Sequence, residues 1–335
     1  MSKLIELDAV SRSFSTPLGE VPAVDSVSLA FDAGEVLCIV GESGCGKTTT
    51  GRLLAGLLRP TSGRLLFEGQ DVWTIKGDAL KRFRLAVQLV HQDPYASLNP
   101  TRTVAQTLIA PLIHHGRVKG GKGADASAAE LLERVGLVPA RDFMEKYPHQ
   151  LSGGQRQRVS IARALTVKPR VIVADEAVSM VDVSIRISLL NLLLSLRREF
   201  GVTIVLITHD LAVARYFAGE GRIAVMYLGR VVELGPTETL VVDPAHPYAE
   251  ALIAAIPEAD PTITRGKERV PLRSADVPSL LDLPPGCTFH PRCPRFEAGL
   301  CDVVRPDLTP IPGAREVACH PAVRERTGKT AAVVT

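Results

Sequence analysis

The sequence lacks an uninterrupted apolar run long enough to cross a lipid bilayer. The longest candidate, Leu189 to Leu196, is already interrupted by two polar residues, whereas a membrane-spanning helix needs about 18 to 20 consecutive apolar residues. The first residues, Met1 to Asp8, carry three charged side chains and have no apolar stretch of the kind that forms the core of a signal peptide. Both absences predict a protein that remains in the cytosol.

The sequence also lacks a strong excess of charge of either sign. Its 39 lysine and arginine residues nearly balance 36 aspartate and glutamate residues, which leaves a formal net charge of +3. A charge balance this close to neutral creates no long-range positive field of the kind that attracts nucleic acid. We therefore expect no nucleic-acid partner. With 335 residues, 46% of them hydrophobic, the chain can bury one large core and a smaller appended unit. It contains no internal repeat.

Apolar residues alternate between strand-like and helical spacing along the chain. The run from Glu35 to Val40 ends at a glycine-rich loop, and the stretch from Asp78 to about Leu165 has helical spacing. Alternating strands and helices predict an α/β core with a parallel sheet. The other predicted elements are strands at Leu4 to Val10, Val24 to Phe31, Val171 to Ala174 and Val202 to Ile207, helices at Thr48 to Leu58 and Ser184 to Phe200, and a turn at Ser62-Gly63.

A phosphate-binding loop follows the third predicted strand. The segment matches the pattern G-x-x-x-x-G-K-[ST] with a strand before it and a helix, beginning with Thr48 and Thr49, after it. Its glycines allow backbone N–H groups to converge on phosphate oxygens. We expect Lys47 to reach the β and γ phosphates of ATP and Thr48 to bind Mg²⁺; the alternative is an ordinary glycine-rich turn. The loop consists of Gly41, Glu42, Ser43, Gly44, Cys45, Gly46, Lys47 and Thr48.

A second anion-binding loop identifies a family. Leu151 is followed by Ser152, Gly153, Gly154 and Gln155 at the start of a predicted helix, and this string resembles the signature motif of ABC ATPases. The resemblance implies a head-to-tail dimer, because in that family the signature of one subunit closes on the γ-phosphate held by the other.

Two adjacent carboxylates end the strand Val171 to Ala174 and resemble the Walker B motif. The resemblance implies that Asp175 holds Mg²⁺ and that Glu176 polarises the attacking water as general base. Two neighbouring carboxylates repel each other unless a cation lies close by, which agrees with a metal site. The alternative is a pair that only caps the following helix.

Further residues take their expected roles from the same resemblance. His209 is similar to the switch histidine at the γ-phosphate, and Gln92 to the Q-loop glutamine that contacts Mg²⁺ and senses the permease. Phe14 occupies the place of the aromatic residue that stacks on adenine; the alternative is an aromatic residue of the core. Asp182 occupies the place of the family's dimer-contact residue. The chain departs from the family at Ala177, Met180 and Val181, where proline, alanine and leucine are more usual.

The resemblance covers about residues 4 to 255 and implies the fold of a P-loop NTPase. We expect a RecA-like core with an antiparallel β subdomain and a helical signature subdomain at about residues 93–165, all within a nucleotide-binding domain of residues 1–260. Residues 261–335 are rich in proline and cysteine and predict a small, irregular C-terminal extension. Its last stretch, Arg324 to Thr335, is expected to be a loose tail.

The extension resembles that of oligopeptide and dipeptide importer ATPases, as do the strings His246-Pro247-Tyr248 and Gln92 to Pro100. Four cysteines within it can bind a metal, and their irregular spacing favours a [4Fe–4S] cluster over Zn²⁺. Four free thiols are the alternative, and the neighbouring His290 and His320 are possible substitute ligands. The cysteines are Cys287, Cys293, Cys301 and Cys319.

The resemblance implies a complete importer. Its parts are a second ABC ATPase subunit, identical or different, two transmembrane permease subunits that hold the chain at the cytoplasmic face of the membrane, and an extracytoplasmic substrate-binding protein. Peptides are the expected cargo, with oligosaccharides or nickel complexes as alternatives. A soluble ABC ATPase of DNA repair or translation is disfavoured, because the sequence has one P-loop and no heptad run.

Overall fold

The structure is a computed structural model, which describes residues 3–179, 181–256 and 270–328. The strands are β1 (Ile5–Thr16), β2 (Gly19–Phe31), β3 (Val36–Val40), β4 (Ser62–Phe67), β5 (Gln70–Asp71), β6 (Val87–Val90), β7 (Val171–Asp175), β8 (Thr203–Thr208), β9 (Arg222–Tyr227), β10 (Arg230–Pro236), β11 (Thr309–Ile311) and β12 (Arg315–Val317). They form two sheets, a mixed one in the order β11-β12-β10-β9-β3-β8-β7-β6 and a smaller one in the order β2-β1-β4-β5.

Helices surround these sheets. They are α1 (Lys47–Leu54), α2 (Gly77–Ala86), α3 (Pro94–Ser97), α4 (Val104–His114), α5 (Lys122–Arg134), α6 (Arg141–Met144), α7 (Gly153–Leu165), α8 (Val183–Phe200), α9 (Leu211–Phe217), α10 (Thr237–Val242), α11 (Pro247–Ala254) and α12 (His320–Thr327), with a 3₁₀ turn at Pro148–Gln150. Of the helices described, none is both long and apolar enough to cross a membrane.

The centre of the large sheet is parallel and fully buried. Strands β3, β7 and β8 consist of apolar residues almost without interruption, which is typical of strands covered on both faces. Their register pairs Val40 with Thr208 and Asp175 with Ile207. The loops after these three strands therefore leave the sheet at one edge, where ligands bind in open α/β sheets.

Alternate residues of the central strands enter two apolar layers. Leu37 and Ile39 pack with α1 and the smaller antiparallel sheet, whereas Cys38 and Val40 face the layer that includes α7, α8 and α9. The antiparallel β subdomain and the helical subdomain, built from α3 to α7, thus cover different parts of one core. The predicted α/β fold with these two subdomains is confirmed.

The C-terminal extension is joined to the large sheet. Strands β11 and β12 form an antiparallel hairpin, and β12 pairs with β10, Glu233 lying opposite Val317. Phe289 and Cys293 of the extension belong to the main apolar layer. The predicted loose tail is wrong for Arg324 to Thr327, which end helix α12, because this helix packs beside the hairpin through Ala322. The expected boundary near residue 260 lies outside the described residues.

Several local predictions also differ from the structure. The segment Val87 to Val90, expected to be helical, is strand β6 and pairs in parallel with β7. Helix α2 runs directly into strand β6, and the N–H of Val87 still donates to the carbonyl oxygen of Phe83. No glycine or proline separates the helix from the strand, so the sequence does not mark the boundary. The predicted turn at Ser62-Gly63 lies inside β4, where Gly63 has φ of 80° beside an irregularity in the pairing with β1.

Candidate functional site

The phosphate-binding loop connects β3 to α1, as its sequence predicts. Gly46 precedes α1 with φ of 100°, and a Cβ atom there would lie 2.1 Å from the carbonyl oxygen of Ala23. Only glycine fits this position. The buried Lys47 donates from Nζ to the carbonyl oxygens of Gly41 and Glu42, both at 2.8 Å. The ammonium group is therefore held inside the loop, where a phosphate would be bound.

Thr48 and Asp175 meet although they lie 127 residues apart. Thr48 Oγ1 donates to Asp175 Oδ1 over 3.1 Å. Burial raises the pKa of the Asp175 carboxyl group, and the bond from Thr48 opposes that increase. In P-loop enzymes Mg²⁺ is held by one hydroxyl, one carboxylate and the phosphates of the nucleotide. This pair of oxygen ligands fits that requirement.

Glu176 follows directly on Asp175 and has a backbone conformation that is rare for non-glycine residues, with φ of 45°. Three hydrogen bonds hold its backbone: its N–H donates to Ile207 O at 3.0 Å, and its carbonyl oxygen accepts from Ser179 N–H at 3.0 Å and from Ser179 Oγ at 2.9 Å. The left-handed backbone turns the side chain away from the strand. Sequence reasoning missed Ser179, for which no signal was available beyond its place in the loop after Walker B.

Three side chains predicted to be catalytic are brought together. Gln92 Nε2 donates to Glu176 Oε2 at 2.8 Å, and His209 Nδ1 lies 3.3 Å from Glu176 Oε1. Each carboxylate oxygen of Glu176 thus has a different partner. The half-exposed His209 and the well-shielded Glu176 carboxylate form a polar group at the open edge of the sheet, where a water molecule could be oriented and deprotonated.

The signature residues lie on a different element, at the start of α7. Ser152 Oγ accepts a bond from Gln155 N–H at 3.3 Å, and Gln155 Oε1 accepts one from Ser152 N–H at 2.9 Å, which is a capping box. A Cβ atom on Gly154 would lie 2.5 Å from Ile185, so this glycine allows α7 to pack closely on α8. Among the described residues, the side-chain hydrogen bonds of Ser152 and Gln155 connect them to each other and not to the phosphate loop.

Helix α7 also contacts the loop that begins with Gln92. The guanidinium group of Arg156 stacks over the ring of Tyr95, 3.6 Å from its centroid, and Ser160 Oγ lies 3.1 Å from Ser97 Oγ. Arg156 and Ser160 are four residues apart and therefore lie on one helix face. Sequence reasoning did not identify this contact, which ties the signature helix to the segment after Gln92.

The remaining predicted nucleotide contacts lie on other elements of the fold. Phe14 is half-buried on β1 with the guanidinium group of Arg12 4.9 Å from its ring centroid. Asp182 precedes α8, and its carbonyl oxygen accepts from Arg186 N–H at 2.8 Å. Of the departures from the family pattern, Ala177 is buried in the core and Val181 packs against it, while Met180 lies outside the described residues.

The four cysteines of the extension line one small cavity. Its volume is about 10 Å³, and the backbone closes it through a bond of 2.8 Å from Cys287 N–H to Cys301 O. Burial raises the pKa of Cys287 to about 11 and that of Cys319 to about 12. The rings of His290 and His320 each use one nitrogen on a backbone carbonyl oxygen. Among the described residues, no three His, Cys, Asp or Glu side chains are close enough together to hold a metal ion.

Comparisons with known proteins agree with this geometry. A family model described as ABC transporter matches residues 24–179, and one described as oligopeptide/dipeptide transporter, C-terminal region, matches residues 232–301. The chain is 48% identical to the probable peptide ABC transporter ATP-binding protein y4tS of Sinorhizobium fredii, over 92% of this chain and 84% of that protein. It is 42% identical to the oligopeptide transport ATP-binding protein AppF of Bacillus subtilis, over 92% of each.

A solved structure resembles the nucleotide-binding part. The dimeric post-hydrolysis state of the ATP-binding cassette MJ0796, bound to ADP and Pi, superposes with a TM-score of 0.62 at 31% identity, covering 70% of this chain and 98% of that one. The phosphate loop, the adjacent carboxylates and the signature helix define an ABC-type ATPase. The chain belongs to the family of ATP-binding proteins of peptide and oligopeptide ABC transporters, as its motifs predicted.

Proposed function

We propose that this protein hydrolyses ATP to drive the import of oligopeptides or dipeptides through a membrane permease. The observation that carries the proposal is the Glu176 carboxylate, which lies between Gln92 at 2.8 Å and His209 at 3.3 Å. A carboxylate fixed in this way can orient and deprotonate a water molecule for attack on a phosphate. The names of the relatives support peptides as the cargo.

Each motif contributes one part of the reaction. Lys47 and the loop amides bind the phosphates, while Thr48, Asp175 and Gln92 are the proposed holders of Mg²⁺, which when bound neutralises phosphate charge. Glu176 acts as general base, and His209 holds the same water. Phe14 stacks on the adenine. Among the residues that the structure describes, the signature loop at Ser152 has no hydrogen bond to the phosphate loop of its own chain; in the proposed dimer it covers the nucleotide of a second subunit, with Asp182 at the contact.

The proposed dimer is supported by a relative of known structure, because MJ0796 was solved as a dimer bound to ADP and Pi. Binding of two ATP molecules would close the dimer, and hydrolysis with release of phosphate would reopen it. The partner ATPase is a second copy or a related chain. Closure moves α7, which contacts the loop after Gln92 through the Arg156–Tyr95 stack.

A groove beside that loop is the proposed docking site of the permease. It has a volume of about 540 Å³, and it lies between the start of the helical subdomain and strand β6. A permease bound here holds the protein at the cytoplasmic face of the membrane, and a substrate-binding protein outside delivers the peptide. The residues that line the groove include Asn99, Arg102, Thr107, Pro111 and Arg163.

The four cysteines are proposed to bind a [4Fe–4S] cluster, with Zn²⁺ as the alternative. The chemistry of the donor set supports either group, because four thiolates can hold Zn²⁺ or an iron–sulfur cluster and all four cysteines line one cavity. Among the described residues they do not lie close enough together to hold a metal as they stand, so binding would require the thiols to move together. Zn²⁺ is the alternative because four thiolates by themselves complete its tetrahedral coordination. Visible absorbance, with iron, sulfide and zinc analysis of anaerobically purified protein, separates the two.

The experiment that tests the ATPase assignment replaces the general base. In the intact complex, Glu176→Gln should reduce ATP turnover by more than about 100-fold and leave ATP binding intact, because the amide keeps the shape of the side chain but accepts no proton. Glu199→Gln, on the exposed end of α8, is the matched control and should hydrolyse ATP normally. Ordinary turnover in Glu176→Gln would refute the assignment.

The cargo is tested separately. Purification of the protein from its native membrane should recover permease subunits and a binding protein, and mass spectrometry of that binding protein's ligand should identify a peptide. An oligosaccharide or a nickel complex would replace peptide as the cargo. Recovery of ribosomes or DNA instead of permeases would indicate the disfavoured role of a soluble ABC ATPase.

A further inference from the structure

Arg292 connects the cysteine-rich extension to the phosphate loop. It directly precedes Cys293, and its guanidinium group makes a forked contact with the carboxylate of Glu42, with bonds of 3.0 Å to Oε2 from Nη1 and 3.2 Å to Oε1 from Nη2. The two residues are 250 positions apart in the sequence. This is a direct ionic contact between the extension and the second residue of the loop.

The contact is buried on the arginine side. The Arg292 side chain is only 7% exposed, whereas that of Glu42 is 32% exposed. Nη1 of Arg292 also approaches the hydroxyl of Tyr227 at 3.5 Å, and Nε is buried with no partner among the described residues. Since a buried charge is costly unless it is paired, the Arg292 guanidinium group depends on Glu42 for its compensation.

Glu42 is held at three different points. Its carboxylate binds Arg292, its N–H donates to the hydroxyl of Tyr248 at 2.9 Å, and its carbonyl oxygen accepts from Lys47 Nζ at 2.8 Å. Tyr248 in turn packs against Phe289 of the extension, with ring centroids 5.4 Å apart. Two of these three groups of Glu42 therefore connect it to the extension, directly or through Tyr248. The third connects it to Lys47, the lysine expected to bind phosphate.

The backbone around Arg292 is fixed by hydrogen bonds of the turn from Cys287 to Cys293. Its N–H donates to Phe289 O at 3.0 Å, and its carbonyl oxygen accepts from Arg273 N–H at 3.1 Å. Cys293 N–H closes the next turn onto His290 O at 3.3 Å. The position of the guanidinium group is thus determined by the fold of the extension and not by the nucleotide-binding core alone.

From this arrangement we infer that Arg292 is a positioning residue for ATP binding: through Glu42 it holds the phosphate loop in its binding conformation, and so the extension sets the affinity for nucleotide. The inference rests on the proposed ATPase function for its effect on ATP. The side-chain hydrogen bonds of Arg292 among the described residues go to Glu42 and Tyr227 and not to the groups proposed to activate water, so we expect the effect on nucleotide binding and not on the chemical step.

Nucleotide binding by four variants tests this inference in the full-length protein. Arg292→Ala should weaken MgADP binding and raise the KM for ATP by about 5- to 100-fold, the usual range for coupled sites, while kcat at saturating ATP changes far less. Glu42→Gln should give a similar loss. The double variant should be little weaker than either single one, because both substitutions remove the same contact.

Arg324→Ala is the matched control. Arg324 is also an arginine of the extension paired with a carboxylate, but its partner Glu297 lies in the extension as well. This variant should bind MgADP as the unchanged protein does. If Arg292→Ala binds normally, or if the losses of Arg292→Ala and Glu42→Gln simply add, the inference is wrong.

Hydrogen exchange separates this inference from the ATPase assignment. Without nucleotide, the amides of residues 41–48 should exchange faster in Arg292→Ala and in the milder Arg292→Lys, which keeps the charge but loses the fork, and not in Arg324→Ala. Unchanged exchange in both Arg292 variants would overturn the inference whatever the protein binds. Faster exchange in a protein that binds no nucleotide at all would instead refute the proposed function and leave the positioning role standing.

Discussion

Gln92 and Glu176 are joined by a bond of 2.8 Å from Nε2 to Oε2, although they lie 84 residues apart. Gln92 comes shortly after strand β6, and Glu176 follows the neighbouring strand β7, which pairs with β6 in parallel. The bond therefore links the loop that leads into the helical subdomain with the residue proposed to activate water. Movement of that loop can change the position of the carboxylate.

The first prediction concerns this bond. Gln92→Ala removes the donor and should lower kcat for ATP about tenfold, since a hydrogen bond to a charged group contributes about 1.5 to 3 kcal/mol and part of that loss is recovered by water. Binding of ADP without Mg²⁺ should stay unchanged, because Gln92 is a proposed holder of Mg²⁺ and not of the phosphates. Gln70→Ala is the control, because Gln70 is exposed on β5, the edge strand of the smaller sheet. A normal kcat in Gln92→Ala would show that the bond has no role in turnover.

The second prediction concerns the left-handed backbone of Glu176. Ser179→Ala removes the bond of 2.9 Å to the carbonyl oxygen of Glu176 and should reduce kcat about fivefold, the equivalent of about 1 kcal/mol, with little effect on KM. Ser195→Ala removes a bond of the same type, from Oγ to Leu192 O at 2.8 Å, in a helix remote from the site. It should leave turnover unchanged; a loss of equal size in both variants would point to a general effect of the substitution.

The third prediction concerns the four-cysteine site. Cys293→Ser should abolish or strongly reduce bound iron or zinc in protein purified without oxygen, because a serine hydroxyl is a poor ligand for either group. Cys38→Ser, in the core strand β3, should retain the metal. Protein that contains no iron and no zinc before any substitution would argue for four free thiols.

The fourth prediction concerns the carboxylate of Glu233, which is fully buried. It accepts bonds from the N–H groups of Ala245 and His246, the latter at 2.8 Å. Glu233→Ala leaves both donors without an acceptor and should lower the free energy of unfolding by about 2 to 4 kcal/mol. Urea denaturation measures the change, and Glu316→Ala, on the surface side of the hairpin, should cost much less.

The same residue predicts a pH dependence. Burial raises the pKa of the Glu233 carboxyl group, although the two N–H bonds and Arg315 oppose the increase. A raised pKa in the folded state means that the folded protein binds the proton more tightly than the unfolded chain does. The stabilisation by this proton is complete below the ordinary pKa of glutamate and is lost as pH rises through the higher folded value. Glu233→Gln should remove this contribution to the decrease of the free energy of unfolding with rising pH. A dependence on pH identical to that of the unchanged protein would contradict the assignment.

Short motifs in the sequence determined the class of this protein, since each carries its chemistry within a few consecutive residues. The phosphate loop from Gly41 to Thr48 and the pair Asp175-Glu176 needed only a strand before them to be interpreted. Strand β6 escaped detection because four residues next to a helix have no period of their own and no turn residue before them. Pairing with β7, a distant part of the chain, makes this segment a strand.

Tertiary structure alone decided which groups touch. No spacing in the sequence could indicate that Arg292 would reach Glu42. That contact depends on the path of the extension beside the sheet and on the backbone hydrogen bonds of the turn from Cys287 to Cys293. Glu176 and the two partners of its carboxylate, Gln92 and His209, likewise come from three separate strand ends, which meet only when parallel strands align. The sequence by itself determined which chemical groups the protein has, since these are encoded locally; long-range packing determined where they act and how the extension is connected to them.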